Sequence, residues 1–390
     1  MTTILTAVWL LCVVSVLHTY VFYPWWVLRR ARSQVPSKDQ EKVENWPPVT
    51  VLMAVHNEAV VIAEKLDSLA VQDYPGELRV LIGSDCSTDA TEAIIKEHQL
   101  AVDLTVFRTR QGKPNIINQL AAKATGDIFV ITDASVMLRP NTVRELVRPL
   151  ATDPGLGVVD TTMVQTGAQA DGIGLSEKHY IDREVAVKRA ESTLFGHMIG
   201  PFGGCWAVRA AAYVPVPANF LVDDFFLCLA AYEQGYRGLS SERAIVEEAV
   251  GQSIRDEFRR KVRISSGNWQ NLIRFRRLWW PCWKNGLAFA FFSHKVLRWW
   301  TPFFLLIGFI SGVLLALLLG NHWFTAALCL SVLSVGLVLL VDYFLAPLNV
   351  HLLGFRNLRY FLAMNAALLV GCWRYLTGIT SNVWQPSNRH

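Results

Sequence analysis

The sequence predicts an α/β domain built on a parallel sheet and held between membrane-crossing helices. Short β-branched apolar runs alternate with helical periods between residues 49 and 151. Outside that region lie three long runs without a Lys, Arg, Asp or Glu. The predicted strands end on His56-Asn57-Glu58, Asp85 and Asp133, at the edge where open α/β sheets take their ligands.

The charge-free runs are Thr3 to Val27, Thr301 to Gly320 and Phe324 to Val341, each long enough to cross a ~30 Å hydrocarbon core as a helix. They predict membrane helices over 3–28, 300–321 and 324–346. A shorter apolar segment, Tyr360 to Gly371, predicts a crossing or re-entrant helix over 358–378, followed by a tail, 379–390. The first run lacks the basic n-region of a signal peptide, and Arg29, Arg30 and Arg32 come after it. By the positive-inside rule these arginines put the next part of the chain in the cytoplasm, giving an integral plasma (inner) membrane protein with a cytoplasmic catalytic domain. Trp279, Trp280, Trp283, Trp299 and Trp300, interleaved with basic residues, predict an interfacial segment over 278–299 in contact with membrane lipids.

Residues 29–48 end in a Pro pair and predict a linker. In the catalytic region, taken as 49–277, VTVLMAV reads as a buried strand and AVVIAEKLDSLAVQ as a helix. LRVLIGS, LTVFRT and DIFVITDAS are further strands. TDATEAIIKEH, GKPNIINQLAAKATG and PNTVRELVRPLA are helices, the first capped by Thr88 or Asp89. No GxGxxG or GxxxxGK[ST] comes after the first strand, which excludes a Rossmann dinucleotide site and a P-loop. Seven scattered cysteines without a CxxC pair suit a reducing compartment. A net charge of +5, much of it beside the apolar runs, leaves no nucleic-acid footprint.

Asp85 at a strand end can accept hydrogen bonds from a uracil imide or a ribose, whereas Asp89 in the same SDCSTDAT stretch reads as a turn or cap. Asp133, ending VITDAS, can hold Mg2+ or Mn2+ with a diphosphate supplying further oxygens. Lys113 suits phosphate or is a solvated loop lysine. Asp223 and Asp224, within LVDDFFL, are either a helix cap or a catalytic pair.

These stretches, with GPFGGCWAVR, GYRG, RRKVRI, SHKVLRWW and GITSNVWQPSNR, make the chain resemble the membrane-integrated glycosyltransferases of family 2, the cellulose, hyaluronan, chitin and poly-N-acetylglucosamine synthases. The resemblance implies a GT-A fold, an α/β domain that binds a nucleotide-diphosphosugar. It implies Asp85 at the uridine, Asp133 as the first Asp of a metal-binding DxD, Asp224 as general base and Arg263 at the second basic position of QxxRW. His56, Asn57, Glu58, Lys113 and Arg260 complete the expected nucleotide end, with Asp223 beside the base. Ser135 stands where DxD has its second Asp, Asp223 where TED has Glu, and the QxxRW segment lacks its Gln and Trp. The implied reaction is inverting transfer from a UDP-sugar to a growing polysaccharide or a membrane-associated acceptor. The alternative is transfer of one sugar to a lipid, of glycolipid or polyprenyl-phosphate type. A non-catalytic scaffold is a third reading, which retention of the site residues opposes.

Overall fold

The computed structural model describes residues 1–34, 42–166, 174–249, 254–345 and 353–379. Part of the expected linker and nearly all of the expected tail lie outside these residues. In chain order the main elements are α1 (Thr2–Ala31), β1 (Val49–Val55), α2 (Ile62–Ala70), β2 (Leu78–Asp85), α3 (Thr91–Glu97), β3 (Asp103–Phe107), α4 (Lys113–Lys123), β4 (Ile128–Thr132) and β5 (Val136–Leu138). Then come α5 (Thr142–Thr152), β6 (Leu156–Thr166), α6 (Gly174–Phe195), β7 (Cys205–Arg209), α7 (Asp223–Glu233), β8 (Arg237–Ala249), α8 (Ile254–Arg274), α9 (Gly286–Leu319), α10 (His322–Leu345) and α11 (Leu353–Thr377).

Eight strands form one sheet in the order β3-β2-β1-β4-β7-β6-β8-β5. The half read from the sequence, β3 to β4, is parallel as expected. The other half is not: β7 runs antiparallel to β4 and β6, and β5 antiparallel to β8. The sheet is therefore mixed, correcting the all-parallel expectation. The correction has a local cause, since the chain reaches β7 through the Gly-rich loop after α6 rather than through a βαβ crossover.

VTVLMAV is apolar but for Thr50, whose hydroxyl accepts the Gly126 N–H at 3.1 Å, because β1 is buried on both faces. Val49, Val51, Met53 and Val55 meet Ile62, Leu66 and Ile82 on one side. Leu52 and Ala54 face the other side, where α4, α7 and the helices near the membrane pack. That second core contains Tyr23 and Val27 of α1 together with Phe291, Val296 and Trp299 of α9.

Among the described residues, three helices are long and apolar enough to cross a membrane: Thr2–Ala31, Gly286–Leu319 and His322–Tyr343. Two differ from their sequence boundaries. α1 runs on past residue 28, and α9 begins at Gly286, where the Asn285 side chain accepts the Ala288 N–H at 2.8 Å. The expected interfacial segment is thus partly the first turns of α9. Its tryptophans divide: Trp299 is buried against Phe225 and Phe291, while Trp280, Trp283 and Trp300 are exposed. α11, the expected fourth crossing, carries Arg356, Arg359 and Arg374 and is not among the three. It lies along α8, with the Ser265 hydroxyl donating to Leu368 O (3.0 Å) and that of Ser266 to Gly371 O (3.1 Å).

This contact requires a glycine, because a Cβ on Gly371 would stand 2.4 Å from Ser265 Cβ. Gly371→Ala is expected to cost about 1–3 kcal/mol through overpacking. Thermal unfolding in detergent should detect the loss, and Ser265→Gly should not restore it, because Val262 O would still stand 2.8 Å from the new Cβ.

Candidate active site

The carboxyl ends of β1, β2 and β4 supply the first group of polar residues. His56 Nδ1 lies 2.8 Å from Asp85 O. Asn57 takes a positive φ of 54°, and its side-chain oxygen accepts the Thr88 N–H at 2.8 Å. Glu58 N donates to Thr91 Oγ1 at 2.8 Å, while its carboxyl faces the large cleft beyond the strand ends. Burial, then the charges of Asp133 and Asp89, push the Glu58 carboxyl up to about 7. Burial pulls the His56 imidazole down.

Asp85 is fully buried, and both its oxygens are occupied. Gln111 N–H donates to one (2.6 Å), Gly112 N–H (3.0 Å) and Arg110 Nε (3.2 Å) to the other. In this arrangement Asp85 anchors the loop before α4, and contact with a base would have to replace one of these donors.

Lys113 opens α4, and its ammonium lies 2.6 Å from Asp133 Oδ1 and 3.9 Å from Asp223 Oδ2. Although burial opposes it, the carboxylates raise the lysine pKa and keep it charged. Asp133 comes directly after β4, and its N–H donates to Gly204 O at 2.9 Å. Beneath this turn lies a residue the sequence pattern does not reveal. Lys65 is fully buried and donates to Thr132 Oγ1 (2.7 Å) and Val136 O (2.5 Å), one on each side of Asp133 and Ser135. Burial pulls its ammonium down to about 8. A lysine within an ordinary amphipathic period gives no sign in sequence of such a site.

Asp223 and Asp224 are the first two residues of α7, and Val222 is the N-cap. Neither aspartate caps the helix in the usual sense, although its positive end favours both charges. Three groups from α8 fix the segment entering α7. Arg263 Nη1 donates to Leu221 O (3.0 Å), Asn271 Nδ2 to Val222 O (3.2 Å) and Gln270 Nε2 to Asn219 O (2.8 Å). Asp224 Oδ1 accepts its neighbour's N–H at Phe225 (2.7 Å). Burial, then the Asp223 charge, push the Asp224 carboxyl up to about 7.

Gly203 takes a φ of 81°, and a Cβ there would stand 2.1 Å from Asp224 Oδ2. A buried ion pair, Lys188 with Asp160, supports this loop: Asp160 accepts the Phe202 N–H at 3.3 Å, and the Lys188 ammonium sits 3.5 Å from the Phe202 ring centre. Glu191 accepts from the Tyr23 hydroxyl (2.8 Å), from Ile199 N–H (3.3 Å), and lies 2.7 Å from His294 Nδ1. A single carboxylate thus joins α1, α9 and the loop beside Asp224.

Glu58, Lys113, Asp133, Asp223, Asp224 and Arg263 line one cleft of about 1000 Å³. Arg260 lines it too, with Nη1 3.3 Å from Glu257. His56, Asn57 and Asp85 stand behind it. No three metal-ligand side chains converge among the described residues. Asp133 offers one carboxylate, shared with Lys113, and Ser135 a hydroxyl, so the donors suit a hard cation carried mainly by diphosphate oxygens.

A mixed sheet with acidic residues at its carboxyl edge and a helix-borne aspartate pair across the cleft defines a sugar-nucleotide transferase domain of GT-A type. Residues 50–214 match glycosyl transferase family 2, and the chain carries a glycosyltransferase domain of that family. The chain is similar to an N-acetylglucosaminyltransferase of Rhizobium leguminosarum bv. viciae, 26% identical over 59% of this chain and 58% of that one. It is 31% identical to the beta-monoglucosyldiacylglycerol synthase of Synechocystis, over 40% of this chain and 36% of that one. Thus the matched stretch spans less than two thirds of either relative. Mannosyltransferase PcManGT of Pyrobaculum calidifontis, solved with GDP-Man and Mn2+, shares the fold at a TM-score of 0.73, over 95% of this chain and 99% of that one at 22% identity.

Gly203→Ala is expected to displace Asp224 and to strain the loop by about 1–3 kcal/mol. Turnover should fall at least tenfold while nucleotide affinity, measured by calorimetry, stays within about twofold. Unchanged turnover would separate the loop from the reaction.

Proposed function

We propose that the protein is an inverting glycosyltransferase that moves a sugar from a nucleotide diphosphosugar, a UDP-sugar by the resemblance in sequence, to a hydroxyl of a membrane-associated acceptor. What supports this is the continuity of the cleft. It runs from Asp133 and Asp224 to Tyr20, Trp299, Phe361, Met364 and Leu368, side chains of the membrane helices and α11. An acceptor could reach Asp224 from the bilayer along that wall.

In the reaction, the acceptor oxygen attacks the anomeric carbon and Asp224 takes its proton. The bond from that carbon to the diphosphate breaks, and the nucleoside diphosphate leaves with the electron pair. An α-linked donor gives a β-linked product. Asp223 lies 3.9 Å from the Lys113 ammonium, while Asp224 is the one made basic by burial and by the Asp223 charge. Lys113, Arg260 and Arg263 meet the charge that develops on the diphosphate. Asp133 would hold a divalent cation, as suggested by the Mn2+ in the mannosyltransferase complex, and that cation would supply Lewis-acid stabilisation of the leaving group.

A growing polysaccharide and a single lipid acceptor both fit a membrane-side entrance. The surplus of Arg and Lys on the distal cleft wall favours the lipid, since a neutral sugar chain calls for no such charge. Incubating membranes with UDP- and GDP-sugars, and tracking nucleotide release and product size, tests both choices. One product of fixed mass in the lipid fraction supports single transfer; a ladder of sizes supports polymerisation.

Asp224→Asn should lower turnover ~10²–10⁴-fold with nucleotide binding retained. In the wild type, turnover should fall as pH drops through about 7, because the raised carboxyl protonates there. Asp223→Asn removes the repulsion and should move that limb to lower pH. An unmoved limb would assign the titration elsewhere.

Asp133→Ala should weaken the dependence on Mg2+ or Mn2+ and lower turnover. Full wild-type activity in excess chelator would leave Lys113 and the arginines as the only support for the leaving group.

A further inference from the structure

Lys65 is an unusual buried charge. It lies on the inner face of α2 with Ile62, Leu66 and Leu69 and is fully buried. A lysine withdrawn from water is normally paired with a carboxylate. Here no ion pair forms among the described residues, and the ammonium donates to Thr132 Oγ1 (2.7 Å) and Val136 O (2.5 Å). A methionine would fill the same space without dehydrating a charge. What the lysine adds is its hold on those two oxygens.

The two oxygens flank one turn. Asp133, Ala134 and Ser135 lie between them, and Val136 N–H donates back to Asp133 O at 3.4 Å. Asp133 and Ser135 line the cleft. An ammonium only donates, so the Thr132 hydroxyl accepts from it and turns its own proton elsewhere. Gly204 O receives that hydroxyl at 3.1 Å and also accepts the Asp133 N–H at 2.9 Å. The turn is therefore held from beneath by Lys65 and from one side by Gly204. A cation here would find one carboxylate and one hydroxyl, so its binding depends on both being aimed at the same point.

We propose that Lys65 is a positioning residue for the divalent cation: by clamping both ends of this turn it holds Asp133 and Ser135 where they reach a cation carried by the diphosphate. The inference rests on the reading of Asp133 as the cation's ligand and adds what sets that ligand's place. The charge of Lys65 works in the opposite sense, since one cation repels another. Removing that charge alone would tighten cation binding, whereas releasing the turn weakens it. The two effects differ in sign, which makes the role measurable.

The test is calorimetry on the full chain in nanodiscs. It measures affinity for UDP and GDP with and without Mn2+, and follows whichever nucleotide the wild type binds more tightly. In the wild type Mn2+ should tighten that binding at least about tenfold. Lys65→Met should keep the metal-free affinity within about twofold and cut the gain from Mn2+ to below about threefold. Thr132→Val, which releases one end of the turn, should do the same and serves if Lys65→Met unfolds. Thr132→Ser, which keeps the hydroxyl, should retain the gain. An undiminished or larger gain in both Lys65→Met and Thr132→Val would overturn the proposal, as would a fall in metal-free affinity that accounts for the loss. Asp133→Ala tests the underlying reading. A wild type that gains nothing from Mn2+, or a gain kept in Asp133→Ala, overturns the cation reading and the proposal with it. A gain lost in Asp133→Ala but kept in Lys65→Met overturns the proposal alone.

Discussion

The site depends on one ammonium placed between carboxylates from two different parts of the chain. Lys113 belongs to the parallel half of the sheet through α4, and Asp133 sits just past β4 in that same half. Asp223 belongs to α7, reached only after the chain has crossed the antiparallel strand β7. Without the lysine, Asp133, Asp223 and Asp224 would face one another across a partly dehydrated cleft, and their repulsion would favour protonation or opening. With it, one positive charge offsets part of that repulsion where the two halves of the domain meet. The offset is local, since Lys113 is closer to Asp133 (2.6 Å) than to Asp223 (3.9 Å).

A second constraint is that the helices near the membrane belong to the domain core. Tyr23 and Val27 at the end of α1, and Phe291, Val296 and Trp299 early in α9, pack into the same apolar cluster as Phe225 and Phe226 of α7. The outer lengths of those helices expose Ile4, Leu11, Phe309 and Leu317, as a lipid environment requires. One continuous helix thus packs into protein along one length and presents an exposed apolar surface along the other. Glu191 fastens the join, tying α1 and α9 to Ile199 and so to the loop that presses on Asp224.

Whether a feature is legible in the sequence depends on how it is made. The strands β1, β2 and β4 announce themselves because burial on both faces makes most of their residues apolar. β6 and β8 do not, since LGVVDTTMVQT and RGLSSERAIVEEA carry polar and charged residues through mostly buried or half-buried positions. Some of those residues find partners that only the folded chain supplies. Asp160 in β6 meets Lys188 from α6, and Thr161 donates to Cys205 O at 2.7 Å. The carboxylates at strand ends and the VDDFF pair are readable as chemistry, and the cleft gathers Asp133, Asp223 and Asp224. Lys65, Lys188 and Glu191 are not, because each acts through contacts remote in sequence and none sits in a stretch with a pattern of its own.

The asymmetry of the aspartate pair suits it to the base chemistry we propose. Two equivalent carboxylates would share a proton, and neither would be reliably free. Here the surroundings differ. Asp223 has the nearby lysine, while Asp224 has a neighbour's N–H, an apolar helix and a glycine pressed against its outer oxygen. Burial and the neighbouring charge destabilise the negative charge on Asp224. In the reaction we propose, a carboxylate destabilised in this way gains more from taking an acceptor proton. Gly203 leaves room for that oxygen, since a Cβ in its place would stand 2.1 Å from Asp224 Oδ2.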